Sequence, residues 1–120
     1  SASINMYVDG VNQYSQAANT SWWTREIKYQ YFALPKLSNN YFDGNIDEIS
    51  IWSTVLSGAN VATLYNSGTP TDLSTALAST PVGWWRNGDG STYPTINDEI
   101  GSSNATMNNM VSGDIVTDVP

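Results

Sequence analysis

The side chains that could do chemistry in this chain are carboxylates, hydroxyls, amides and aromatic rings, because it contains neither His nor Cys. Without His there is no imidazole base, and without Cys there is no thiolate nucleophile, disulfide or Cys-based metal site. Two groups of residues stand out. Asp47 and Glu48 sit side by side in Tyr41-Phe42-Asp43-Gly44-Asn45-Ile46-Asp47-Glu48-Ile49-Ser50-Ile51-Trp52. Hydrolysis of a glycosidic bond needs two carboxyl groups facing one another across the substrate. On a strand, neighbouring side chains point to opposite faces, so Asp47 and Glu48 cannot make that pair. The second group is Trp22, Trp23, Tyr29 and Tyr31. Rings of this kind stack on the apolar faces of sugars, with Asn and Gln nearby to pair with hydroxyls, and equally they pack in a core.

The elements that must position these residues are strands. Ile4, Met6 and Val8 alternate with Asn5 and Tyr7, the period-2 pattern of a half-buried strand. Asp9-Gly10 then supplies the two positive-φ residues of a tight hairpin turn, and Val11 begins the return strand. Alternation from residue 46 to 52 places Asp47, Ile49 and Ile51 on one face, expected to be the core face, and Ile46, Glu48, Ser50 and Trp52 on the other. On that inner face Asp47 would accept hydrogen bonds from loop amides. Ser57 reads as the N-cap of a short helix near 58–66 carrying Val61, Leu64 and Tyr65 at helical spacing, closed by Ser67-Gly68 and Pro70. Residues 69–80 are rich in Thr, Ser and Ala and read as a surface connector. Pro81 to Arg86 form a further strand, on which Trp84 and Trp85 face opposite ways, and Asn87-Gly88-Asp89-Gly90 is a turn.

A length of 120 residues suits one core and no second full domain. Four basic residues against eleven acidic ones give a net charge of -7, which disfavours nucleic acid and anionic membrane surfaces as partners. No apolar run reaches the ~20 residues of a membrane-spanning helix, so membrane insertion is not expected. The opening Ser1-Ala2-Ser3, without Met and directly ahead of a strand pattern, reads as the start of a fragment or processed product. The triplets Asn19-Thr20-Ser21 and Asn104-Ala105-Thr106 match the glycosylation acceptor pattern, which arises readily by chance in a chain this rich in Asn and Thr.

Tyr7-Val8-Asp9-Gly10-Val11, then Phe42 to Trp52, then Leu56-Ser57 and a short helix ending in Leu64-Tyr65, resembles the second half of laminin-G-like, concanavalin A-like lectin-glucanase jelly rolls. The resemblance covers about residues 4–66. Val82-Gly83-Trp84-Trp85, Asn87 to Gly90 and Asn97-Asp98 to Met107 resemble the opening strands of the same family, here following the closing helix. The resemblance thus implies an all-β antiparallel β-sandwich, partial or permuted, with one short helix. Its expected organisation is a closing half over 1–73, a connector over 74–80, and an opening-strand-like segment and tail over 81–120. That last segment begins a second domain, completes this one, or packs on a neighbouring chain. The ending Asp114-Ile115-Val116-Thr117-Asp118-Val119-Pro120 resembles those of marine phage and bacterial surface proteins.

For function, the resemblance implies a non-catalytic binding module at an extracellular, cell or virion surface, recognising glycan or a protein ligand. The alternative is a structural domain that completes a sheet in a homo-oligomer or exchanges a strand with another chain, since the family's central strands have no counterpart here. Family members of the laminarinase type carry Glu-x-Asp-x-x-Glu on the active strand. Counted from Glu48, Ser50 and Ser53 stand where the second and third carboxylates belong, which leaves a glycoside hydrolase as a distant third reading. Oxygen-only Ca²⁺ sites are common in the family, and Asp43, Asp47, Asp89 and Asp98 are the candidates to build one from separate segments.

Overall fold

The computed structural model describes residues 3–17 and 44–116. Strands β1 (Ser3–Val8) and β2 (Val11–Ala17) form an antiparallel hairpin, with Asp9 at φ 50° and Gly10 at φ 74° in the turn, as the Asp-Gly pair predicts. Cross-strand pairs put Ile4 opposite Gln16, Met6 opposite Tyr14 and Val8 opposite Val11. Between Met6 and Tyr7 the register shifts, so Gln13 is the extra residue of a bulge.

Helix α1 (Gly58–Tyr65) follows as expected from its caps: Ser57 Oγ accepts the Asn60 amide at 3.1 Å, and Asn66 ends the helix in the left-handed conformation at φ 42°. A single 3-10 turn, Asn66–Gly68, continues the chain. The hairpin turn abuts this helix. A Cβ on Gly10 would lie 2.8 Å from Cδ1 of Tyr65, so Gly10 answers both to its positive φ and to the ring against it. Gly10→Ala is accordingly expected to cost about 1–2 kcal/mol, combining left-handed strain with a steric clash. Thermal or urea unfolding measures it, and an unchanged midpoint would contradict the contact.

Two short antiparallel ladders make up the rest of the described strands. Strand β3 (Ile49–Ile51) pairs with β4 (Gly83–Trp85), matching Ile49 to Trp85, Ser50 to Trp84 and Ile51 to Gly83. Strand β5 (Thr95–Ile96) pairs with β6 (Ala105–Thr106), and Trp85 bridges to Asp98, tying the two ladders together. The Gly-Trp-Trp segment, then, takes as its partner the Ile-Ser-Ile segment of the same chain. Gly83 leaves room for the Trp85 ring, whose Cη2 would sit 2.5 Å from a Cβ at that position. Among the described residues these elements give the antiparallel strands and the single short α-helix expected from sequence.

Two expectations are corrected. Strand β3 is shorter than the 46–52 alternation suggests, because Glu48 adopts φ 51° in the left-handed region and breaks the pleat one residue ahead of Ile49. Asp47 therefore lies outside the strand and is exposed, not on an inner face. The connector also does more than run over the surface. Leu73, only 5% exposed, is the most buried apolar side chain among the described residues, followed by Trp84 and Met107. Asp72 organises the turn around it, accepting from the Ser74 amide and hydroxyl, so the backbone beside Leu73 is satisfied locally.

Candidate functional site

Asp98 and Glu48 are the two carboxylates that hold the β3–β4 region together. Asp98 is 8% exposed. Its Oδ1 accepts backbone N–H groups from Trp84 at 3.0 Å, Ile100 at 3.2 Å and Gly101 at 3.0 Å, and its Oδ2 accepts that of Ser103 at 3.1 Å. The Asp98 amide in turn donates to Asn104 Oδ1. Burial acts to raise the Asp98 pKa, but the four amide donors outweigh it and hold the carboxyl below its ordinary value. Shielding here comes from the loop's own backbone wrapped around the carboxylate. The loop-amide role expected of Asp47 thus belongs to Asp98.

Glu48 is placed by its left-handed backbone against the second strand. Its Oε2 accepts the Trp84 indole N–H at 2.5 Å and its Oε1 pairs with Arg86 Nε at 3.0 Å. Arg86 also reaches Asp89 Oδ2 through Nη2 at 2.7 Å, and its guanidinium carbon lies 5.6 Å from the Trp84 ring centroid. A carboxylate on each side and a ring below fix the guanidinium. The indole N–H of a 7%-exposed tryptophan is satisfied by the same residue that fixes it.

Beside this assembly the chain forms a concavity of about 590 Å³, open to solvent. Thr69, Pro70, Thr71, Asp72 and Ser74 from the connector line it together with Trp84, Arg86 and Glu99. The lining is mostly polar and presents hydroxyls, carboxylates and one guanidinium. Asp72 is held below its ordinary pKa first by the Ser74 hydroxyl and then by the Ser74 amide, so it is ionised at neutral pH. Glu99 is exposed, and among the described residues its carboxylate has no hydrogen-bond or ion-pair partner. A second, more apolar concavity of about 360 Å³ lies where the hairpin meets Val55, Leu56 and Val61.

Of the residues singled out from sequence, Trp22, Trp23, Tyr29, Tyr31 and Asp43 lie outside the described residues. The three remaining aspartates are placed apart in role: Asp47 Oδ1 accepts the Glu48 amide at 2.9 Å, Asp89 pairs with Arg86, and both oxygens of Asp98 are taken by amides. Among the described residues no three acidic side chains gather as a metal-holding group. Sequence reasoning passed over the cleft altogether. Thr69 to Ser74 carry no ring and no periodic pattern, and Glu99 reads as a solvated surface charge. The one available signal was the Asp72-x-Ser74 turn, which predicts a rigid polar corner.

A sequence model described as the concanavalin A-like lectin/glucanases superfamily, of the laminin-G type, matches residues 1–62. That span contains β1, β2 and β3 and the start of α1, and it stops ahead of β4. Neither a curated protein nor a solved structure matches the chain. The model match takes in more than half of the 120 residues, so the chain belongs to the concanavalin A-like lectin/glucanases superfamily.

Proposed function

We propose that this chain is a non-catalytic binding module that recognises glycan. The observation that carries the reading is the polar cleft lined by Thr69–Asp72, Ser74, Trp84, Arg86 and Glu99. It offers acceptors and hydroxyls in a concave surface, the lining that a hydroxyl-rich ligand requires. Glycoside hydrolysis would require a facing carboxyl pair, and Glu48, the acid nearest the family's active-strand pattern, is engaged with Trp84 and Arg86. A glycan microarray probed with the full chain is expected to show binding to a restricted set of polysaccharides, with no release of reducing sugar from any of them. An array at background throughout would overturn the reading.

A second reading, assembly through the hairpin, is favoured by one specific observation. Ile4, Met6, Val8, Val11 and Tyr14 occupy one face of the β1–β2 ladder and are 43–59% exposed. Residues 3–17 carry a single charge, Asp9, so two copies of an otherwise acidic chain can meet on this face without like charges opposed. Light scattering at micromolar concentration is expected to report a dimer if this face is self-complementary, and a stable monomer would remove it.

A further inference from the structure

We propose that Asn87 is a deamidation site restrained by the fold, and that its conversion to aspartate or isoaspartate releases the turn after β4 from the approach to β3. The turn is Asn87-Gly88-Asp89-Gly90, and its chemistry is independent of the glycan-binding reading.

Asn87 is the only asparagine of the chain that is followed by glycine. Deamidation begins when the next residue's backbone nitrogen attacks the side-chain carbonyl carbon, and a glycine, lacking Cβ, leaves that approach open. A bond forms between the Gly88 nitrogen and Asn87 Cγ, and the carboxamide nitrogen leaves as ammonia, carrying the Gly88 amide proton. The product is a succinimide. Water then adds to one of its two carbonyls and breaks that carbonyl's bond to the Gly88 nitrogen. Opening at Cγ gives aspartate; opening at the main-chain carbonyl gives isoaspartate, in which the chain runs on through Cγ. Nothing is oxidised or reduced, and water is the one co-reactant. It has access to a turn in which residues 87–89 are half-buried and Gly90 is exposed.

Both reacting groups are engaged in the folded chain. The Asn87 carboxamide donates through Nδ2 to the Ile46 carbonyl at 2.8 Å, and the Gly88 N–H donates to the Arg86 carbonyl at 2.6 Å. Asn87 itself is held at φ 52°, in the left-handed region that Asn tolerates better than most residues. Attack requires both hydrogen bonds to open, so the rate follows local opening of this turn. The bond to Ile46 links positions 41 apart in sequence and, with the Glu48 contacts to Trp84 and Arg86, joins the approach to β3 to β4 and its turn. Either product undoes it. A carboxylate has no N–H to give, and it opposes the Ile46 carbonyl as acceptor against acceptor. Isoaspartate also inserts a methylene into the main chain between Arg86 and Gly88, which displaces the Gly88 N–H from the Arg86 carbonyl. A turn that closes before attack is unchanged, whereas one that has reacted cannot regain its former hydrogen bonds.

The test is a time course of the full chain in mildly alkaline buffer, folded and in urea, read by peptide mapping with mass spectrometry and by isoaspartate labelling. Asn87 should convert in both states, and in the folded chain about tenfold more slowly, because two native hydrogen bonds then hold the reactants apart. Gly88 does not occupy the left-handed region, so Gly88→Ala brings no such strain and should slow conversion in both states by obstructing the attack. Asn87→Asp, which carries one of the products, should unfold at a lower urea concentration than wild type, its folding equilibrium weakened by about fivefold or more. An Asn87 still intact in the folded chain after about a hundredfold the time that the unfolded chain needs would overturn the modification site. Equal rates in the two states would overturn its restraint by the fold. Conversion as fast in Gly88→Ala as in wild type would overturn attack by the Gly88 nitrogen, and a wild-type urea midpoint for Asn87→Asp would overturn the release of the turn. The wild-type time course needs no variant to fold, so it decides the first two outcomes by itself.

Discussion

Asp98→Ala is expected to lower the free energy of unfolding by about 3–4 kcal/mol. The mechanism is the stranding of donors. Four backbone N–H groups, from Trp84, Ile100, Gly101 and Ser103, converge on one carboxylate, and none of them has a strand or helix partner that could replace it. The loop amides can recover part of the loss by turning to water. Trp84 has less access to water, because it and Gly83 are buried. Asp98→Asn should cost less, about 2 kcal/mol: a carboxamide oxygen can serve the three donors on Oδ1, but its NH₂ would then oppose the Ser103 N–H. Gly101 belongs to the same arrangement, since a Cβ there would lie 2.6 Å from Asp98 Oδ2. Chemical denaturation of the three proteins gives the ranking, and an Asp98→Ala loss under about 1 kcal/mol would refute the amide cage as the organiser of this region.

The same carboxylate predicts a pH dependence of definite sign. Its folded pKa is lowered, so its stabilising contribution is fully present above the unfolded value, about 3.9, and is lost as pH falls through the folded pKa. Wild-type stability should be nearly flat around neutrality and decline below about pH 4. In Asp98→Asn that acid limb should be shallower.

How much of this could be read from sequence depends on how local the determinant is. The hairpin was legible because Asp9-Gly10 carries its own turn geometry, and α1 was legible because Ser57 caps it within three residues. The limits of β3 were not, because nothing in the alternation of Ile46 to Trp52 announces that Glu48 turns left-handed. That conformation is fixed by what Glu48 reaches, and Trp84 and Arg86 lie 36 and 38 residues away. Leu73 was hidden for a related reason: with Leu77 as the only other large apolar residue in a stretch of Thr, Ser and Ala, too short a pattern exists to reveal that it is buried. For the Gly-Trp-Trp segment the sequence leaves the partner strand open, since choice of partner is a long-range matter that local pattern does not encode. The ligand platform proposed from Trp22, Trp23, Tyr29 and Tyr31 rests on residues outside the described structure. The cleft that carries the functional reading is built from residues whose types are ordinary and whose convergence is not.

Glu48→Ala is the second substitution expected to have a large effect. Removing the carboxylate leaves the Trp84 indole N–H without its acceptor in a 7%-exposed site and deprives Arg86 of one of its two carboxylate partners among the described residues. Loss of the acceptor from a buried donor and of a partly shielded ion pair together should cost about 2–3 kcal/mol, less than the four-donor loss at Asp98. Glu48→Gln separates the two roles. Its side-chain oxygen can still accept from the indole, so most of the stability should return, about 1 kcal/mol below wild type, while the charge that compensates Arg86 is gone. Arg86 then keeps Asp89 as its carboxylate partner among the described residues. The Glu48 carboxylate thus satisfies the buried tryptophan and pairs with Arg86, the one cationic side chain among the described residues, so its loss acts on both.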